Sequence, residues 1–114
     1  MFNNNNFDVC VFPIISKRSG EAVRNQYDIV LTTYDITYHI FQSYETKCAI
    51  FTFDMPTTKK TLKVFKDAFY SQTTAKYFAQ WLESMGFYTG FYYDLAKKYF
   101  KANPNANEYV VEID

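Results

Sequence analysis

Four segments of the chain are predicted to form β-strands: residues 7–15, 27–40, 48–54 and 108–113. The last three carry apolar residues at alternate positions, with the period of two that is typical of strands. Residues 7–15 are β-prone, and Pro13 makes this segment an edge strand or ends it early. The apolar set of the second segment changes parity between Thr33 and Tyr34, which we interpret as a bulge or bend within one long strand. Residues 16–26, by contrast, are rich in charged and small side chains and are predicted to form a connector.

The segment 59–70 fits two patterns. Leu62, Phe65 and Phe69 would share one face of a helix, whereas residues 61–68 also alternate as a strand does. We favour a strand over 61–68 and keep a helix as the alternative.

Two later segments carry the period of an amphipathic helix. In the first, hydroxyl side chains at residues 71–74 offer N-caps, and Gly86 can adopt the left-handed conformation that ends a helix. The second runs over residues 90–102 and is stopped by Pro104 and its neighbours. The predicted inner stripes are Phe78, Trp81, Leu82 and Met85 in the first helix and Tyr92, Leu95, Ala96 and Tyr99 in the second.

The order of these segments predicts the fold class. Strands come first and helices later, which favours an α+β architecture over alternating β-α-β units. We therefore expect a single domain over residues 1–114, with an antiparallel sheet of four or five strands and two helices packed on one face. The polar residues 1–6 are predicted to be a frayed lead-in.

Composition excludes several function classes. Twelve basic and twelve acidic residues balance each other, which argues against a generally basic nucleic-acid binder. The three glycines, at positions 20, 86 and 90, fit neither known phosphate-binding loop. The apolar run over residues 9–15 is too short to cross a membrane, and we expect no targeting segment because residues 1–6 have neither a basic nor a long apolar region. We expect a cytoplasmic protein.

Candidate catalytic groups are few. His39 is the single histidine, and Cys10 and Cys48 lie in apolar strand segments. Cys10 and His39 could form a nucleophile–base pair across a sheet, but we favour a structural role for all three residues. We expect no enzymatic activity, no catalytic residue, no metal and no cofactor.

The aromatic surplus is the strongest functional signal. Phenylalanine, tyrosine and tryptophan make up 21% of the chain, more than a core of this size can hold beside its aliphatic residues. Exposed aromatic clusters are typical of protein-binding surfaces, so we expect binding to another protein or to a second copy of the chain. The candidate contact residues are Tyr44, Tyr70, Lys76, Tyr88, Phe91 and Tyr93.

Nucleic-acid binding is the alternative function. Four lysines stand close together beside aromatic rings, and such a patch can contact phosphates and stack on bases. They are Lys59, Lys60, Lys63 and Lys66. The competing explanation is an edge strand on which lysines prevent aggregation.

Two short motifs carry a resemblance to a known group of proteins. Residues 43–50 read Ser-Tyr-Glu-Thr-Lys-Cys-Ala-Ile, and residues 70–76 read Tyr-Ser-Gln-Thr-Thr-Ala-Lys. Together they resemble small uncharacterised proteins of phages and mobile elements of low-GC bacteria, over residues 43–85. This chain departs from them in a longer insertion at residues 55–60 and an added carboxyl-terminal helix.

The resemblance implies a β-β-α unit and a phage or mobile-element origin, and it implies no known activity. Together with this resemblance, the predicted function becomes that of a phage-type accessory protein that binds a host or phage protein, in the cytoplasm of the host cell if a phage encodes it. Inhibition of a host defence component is one form that such binding would take.

Overall fold

The computed structural model describes residues 8–113 as one antiparallel sheet of six strands with two α-helices and a short 3-10 helix. Each strand pairs with the strand that precedes it in the chain, and both α-helices lie between the fifth and sixth strands. The elements in chain order are β1 (Asp8–Ile15), β2 (Ala22–Thr32), β3 (Ile36–Ser43), β4 (Thr46–Asp54), β5 (Lys59–Phe65), the 3-10 helix (Lys66–Phe69), α1 (Gln72–Ser84), α2 (Phe91–Ala102) and β6 (Glu108–Ile113). The lead-in predicted for residues 1–6 lies outside the described residues.

The prediction of four or five strands was wrong, because the parity change at Thr33 marks a reversal of the chain. The Thr33 backbone N–H donates to the Ile36 carbonyl across 2.8 Å, and the Thr33 hydroxyl accepts from the Ile36 N–H across 2.9 Å. These bonds close a tight turn, so residues 27–40 form parts of two strands. Strand β2 also begins inside the predicted connector, where Ala22 pairs with Ile15 of β1.

The ambiguous segment 59–70 contains both predicted conformations in succession. Strand β5 ends at Phe65, and the 3-10 helix follows directly. Ala68 is fully buried within that helix, so the tight turn brings a small side chain into the core. The structure therefore has a strand in the first part of this segment and a single helical turn in the second.

Both predicted α-helices are confirmed. The Ser71 hydroxyl caps α1 by accepting from the Thr74 N–H across 3.1 Å. Helix α2 begins after Gly90, whose φ of +74° suits a residue without a Cβ. Of the stripe predicted for α2, Ala96 is fully buried, and Phe100 joins it in the core although the pattern did not indicate it.

The helices cover one face of the sheet. Trp81 of α1 packs on Phe41 of β3 with ring centroids 5.9 Å apart, and Phe87 packs edge-on against Phe51 of β4 at 5.6 Å. The strand register places Phe41 and Phe51 on the same face of the sheet. The core therefore lies between this face and the helices, and none of the described helices covers the opposite face.

Candidate functional site

The uncovered face of the sheet carries two apolar rows, which the strand register defines. In the first row Val11, Ile29, Ile40 and Ile50 stand directly opposite one another across β1 to β4. Neighbouring side chains in such a row lie about 5 Å apart and form a continuous surface. The second row runs parallel to it across β1 to β3. We call the two rows the apolar field: Val9, Val11, Ile29, Leu31, Tyr38, Ile40 and Ile50.

A charged margin bounds the apolar field along β5 and β6. Lys59 lies 3.6 Å from Glu112, and Lys63 lies 3.6 Å from Glu108, nitrogen to oxygen. Two basic and two acidic groups cancel, so this margin has no net charge. Exposed pairs of this kind contribute little to stability, about 1 kcal/mol at most.

Exposure of the apolar field increases toward β1. The side chains on β2 to β4 are half-buried because they shield one another, whereas Val9 is 53% exposed and Val11 58% exposed. Contiguous apolar surface is rare on a monomeric domain and usually marks an interaction site. This surface was missed from the sequence, although the alternation at residues 29, 31, 38 and 40 was its signal.

The six predicted contact residues are divided between the two ends of α1. Tyr44 and Tyr70 are exposed and border a cavity of about 330 Å³ at the amino end of the helix. Lys76 and Tyr93 border a second cavity beside Tyr70. Tyr88 and Phe91 lie in and next to the connection that follows the carboxyl end of α1.

The three rings around the start of α2 differ in exposure. Tyr88 is 76% exposed and Phe91 is 56% exposed, whereas Tyr93 is half-buried. The Tyr93 ring packs on Phe69 and Phe78 with centroids 5.3 and 5.8 Å apart. Tyr93 therefore contributes to the edge of the core as well as to the surface.

A chain of polar side chains joins the sheet to the amino end of α1. Gln26 donates through Nε2 to the Ser43 hydroxyl across 2.9 Å, and Ser43 Oγ lies 3.1 Å from Thr74 Oγ1. All three residues are buried. Because buried polar groups need partners, this chain fixes the position of α1 on the sheet.

The Cys48 thiol borders the same cavity but is poorly suited to nucleophilic chemistry. Burial raises its pKa to about 11, the Asp67 carboxylate acts in the same direction, and a hydrogen bond with the Ser43 backbone opposes them. A thiol with this pKa stays protonated at neutral pH, and the protonated form is not the nucleophile.

The structure does not bring Cys10 and His39 together. Both residues lie in one cross-strand row with Val30 between them, which places their strands about 10 Å apart. His39 instead donates through Nδ1 to the Asp28 carboxylate, 3.2 Å away. The nucleophile–base pair considered for these residues is therefore not formed.

The four lysines of the alternative function do not form one surface. Lys59 and Lys63 lie on the uncovered face with acidic partners. The register places Lys60 on the opposite face, opposite Phe53, and Lys66 donates to the Pro104 carbonyl from the 3-10 helix. The fold thus separates the four lysine side chains, whereas binding to a phosphate backbone would need them on one surface.

Two further searches covered residues 8–113. Among these residues, no three cysteine, histidine or acidic side chains are grouped so that they could hold a metal ion. None of the helices in this range is long and apolar enough to cross a membrane.

The fold and the uncovered face define a small α+β domain in which helices cover only one side of the sheet. Residues 6–99 match the model of a family of unknown function, DUF8033. Since the match spans most of the chain, the protein belongs to this family. No curated protein and no solved structure matches the chain. The family carries no statement of origin, so the phage or mobile-element origin stays a prediction.

Proposed function

We propose that this protein is a non-enzymatic protein-binding domain and that the apolar field is its main contact surface. The observation that carries the proposal is the continuous row of Val11, Ile29, Ile40 and Ile50, over which none of the described helices lies. Removing such side chains from water contributes about 25 cal/mol per Å² of apolar surface. Burial of the apolar field by a partner would therefore contribute to binding affinity, and it requires no change in the fold.

The chemistry of this face favours a protein over a nucleic acid as partner. Lys59 and Lys63 on this face already have carboxylate neighbours, so they do not form a cluster of unpaired positive charge for phosphates. An apolar centre with a neutral polar margin is the usual arrangement of a protein–protein interface. The exposed rings of Tyr44 and Tyr70, near the start of α1, are a second candidate contact surface.

The proposed role is that of an accessory protein that acts by occlusion. Its sequence resembles small phage and mobile-element proteins over residues 43–85, and proteins of that kind are expected to act on host or phage proteins. Binding through a broad sheet face would cover a surface of the partner, and inhibition of a host defence component would follow if that surface is needed for defence.

Replacing two central residues of the apolar field tests the proposal. Ile29→Thr combined with Ile40→Thr removes apolar surface and keeps β-branched side chains that suit a strand. The tagged full chain is cross-linked in a host lysate, and captured proteins are identified. We expect the double variant to lose the proteins that the wild type captures.

The matched control is Val110→Thr, on the same face of the sheet but outside the apolar field. It is expected to capture the same proteins as the wild type. Far-UV circular dichroism verifies that all variants are folded. If the folded double variant captures the same proteins as the wild type, the apolar field is not the contact surface.

A further inference from the structure

Among the described residues, β1 forms one edge of the sheet, and its ladder with β2 determines which of its backbone groups point away from the sheet. Pro13 stands opposite Tyr27 and has no N–H, so these two residues cannot exchange the two N–H···O bonds of a hydrogen-bonded pair. Hydrogen-bonded and non-hydrogen-bonded pairs alternate along an antiparallel ladder. Val9 and Val11 therefore point their N–H and C=O groups away from β2, toward the outer edge.

The turn between β2 and β3 independently supports this assignment of hydrogen-bonded and non-hydrogen-bonded pairs. The Thr33 N–H points toward β3, because it donates to the Ile36 carbonyl. By alternation, Val30 points its N–H toward β1, where it pairs with Cys10. The backbone N–H and C=O groups of Val9 and Val11, the neighbours of Cys10 in β1, consequently point toward the outer edge.

The two edges of the sheet are protected to different degrees. At the β6 edge, Glu108 and Glu112 are exposed, and charged side chains on an edge strand oppose pairing with a further strand. Residues 9–15 of β1 contain no charged side chain, and the features that protect this edge, Pro13 and the irregular register between Pro13 and Ile15, lie in its second half. The large apolar side chains of β1 that are more than half exposed are Val9, Val11, Phe12 and Ile15.

We infer that β1 pairs with β1 of a second copy of this chain, in antiparallel orientation about a two-fold axis. The sheet would then be continuous across the dimer, with six strands from each copy. The inference goes beyond the proposed function, because it concerns the backbone edge of β1 and predicts a partner of known identity.

An antiparallel pair of identical strands complements itself, as a two-fold interface requires. The pairing also joins the apolar fields of the two copies, since Val9 and Val11 lie at the junction.

The register follows from Pro13. If the axis passes through Cys10, Val9 of each copy exchanges both backbone hydrogen bonds with Val11 of the other. An axis through Val11 would instead leave each Val9 carbonyl opposite Pro13, which cannot donate. We therefore place the two Cys10 residues opposite each other in a non-hydrogen-bonded pair, where Cα atoms are about 4.5 Å apart. That distance permits a disulfide.

Oxidative cross-linking of the full chain tests both the dimer and its register. The purified protein is kept reduced for measurement of its mass by light scattering, and is then treated with copper phenanthroline. We expect a dimer of twice 13.5 kDa, which oxidation converts to a covalent dimer through the exposed Cys10. Val11→Cys in a Cys10→Ser background is the register control and should cross-link more slowly, because the two Val11 residues are diagonal to each other.

A backbone variant separates strand pairing from side-chain contact. Val11→Pro removes an outward N–H and leaves the ladder with β2 intact, whereas Val11→Thr retains the N–H. Two intermolecular hydrogen bonds are lost per dimer in Val11→Pro, so its dimer affinity should fall about thirtyfold. Val11→Thr, and the Ile29→Thr/Ile40→Thr variant, should still dimerise.

Two results would overturn the inference. One is a monomeric mass for the reduced wild type at the highest soluble concentration. The other is a dimer whose Cys10 residues do not cross-link, since that dimer would use a different surface. Both are measured on the wild-type chain, so they do not depend on whether Val11→Pro folds.

Discussion

Trp81 of α1 donates through Nε1 to Asp28 Oδ1 of β2 across 2.8 Å, and this bond ties the first helix to the sheet. The carboxylate is only 17% exposed, and it accepts a second hydrogen bond from His39 Nδ1. A carboxylate in such a position needs donors, because burial without partners is costly. One acidic side chain therefore orients an aromatic ring of the core and the single histidine of the chain.

Replacing Trp81 tests the importance of this bond. Trp81→Phe removes the donor to Asp28 and leaves a small cavity among Phe41 and Phe78, on which the indole packs. We expect the free energy of unfolding to fall by about 2–4 kcal/mol, measured by urea denaturation. Asp28→Asn keeps an acceptor for the indole and should cost less. A loss below about 1 kcal/mol in Trp81→Phe would contradict an anchoring role.

The buried Cys48 thiol should make the free energy of unfolding decrease as the pH becomes alkaline. Its pKa is about 11 in the folded protein against 9.0 for the free side chain, so the unfolded chain ionises first as pH rises. The contribution to stability is therefore fully present below pH 9.0 and is lost as pH rises to about 11.

The measurement compares the wild type with Cys48→Ala by denaturant unfolding at several pH values. The difference between their free energies of unfolding should shrink between pH 9.0 and about 11. A constant difference for Cys48→Ala across this range would refute the prediction.

The rings of Phe91 and Tyr93 should respond differently to truncation. Phe91 is largely exposed, so Phe91→Ser should change the free energy of unfolding by less than about 1 kcal/mol. Tyr93 packs on Phe69 and Phe78, so Tyr93→Ser should cost about 2–3 kcal/mol. Thermal unfolding of the two single variants checks this. Equal effects would mean that the two rings are equally buried in solution.

The ion pairs along β5 and β6 should be dispensable for folding. Lys63→Gln breaks the pair with Glu108 at an exposed position, and we expect a change of about 0.5 kcal/mol or less in the free energy of unfolding. The neighbouring Leu62 is fully buried, so Leu62→Ala should cost about 2–5 kcal/mol. A large effect of Lys63→Gln that persists at high salt would contradict a surface role for the pair.

Local sequence determined the helices and most of the strands. Helix α1 could be predicted because its cap, its apolar stripe and the glycine that follows it all belong to one continuous segment, as Ser71, Trp81 and Gly86 show. Alternation likewise predicted β4 and β6, because a period of two needs no distant partner. These features depend on backbone geometry and capping, which act over one or two turns.

Tertiary structure decided the reversal at Thr33 and the location of the uncovered face. A change of parity is the same whether a strand bulges or turns back, and only the pairing of β2 with β3 distinguishes the two. Alternation also defines two faces without showing which one the helices will cover. In β2 both Val30 and its neighbours Ile29 and Leu31 are apolar, and the sheet turns Val30 toward the helices and the other two toward the uncovered face. Packing between distant segments determines which face is covered, because Trp81 and Phe87 must pack against that face.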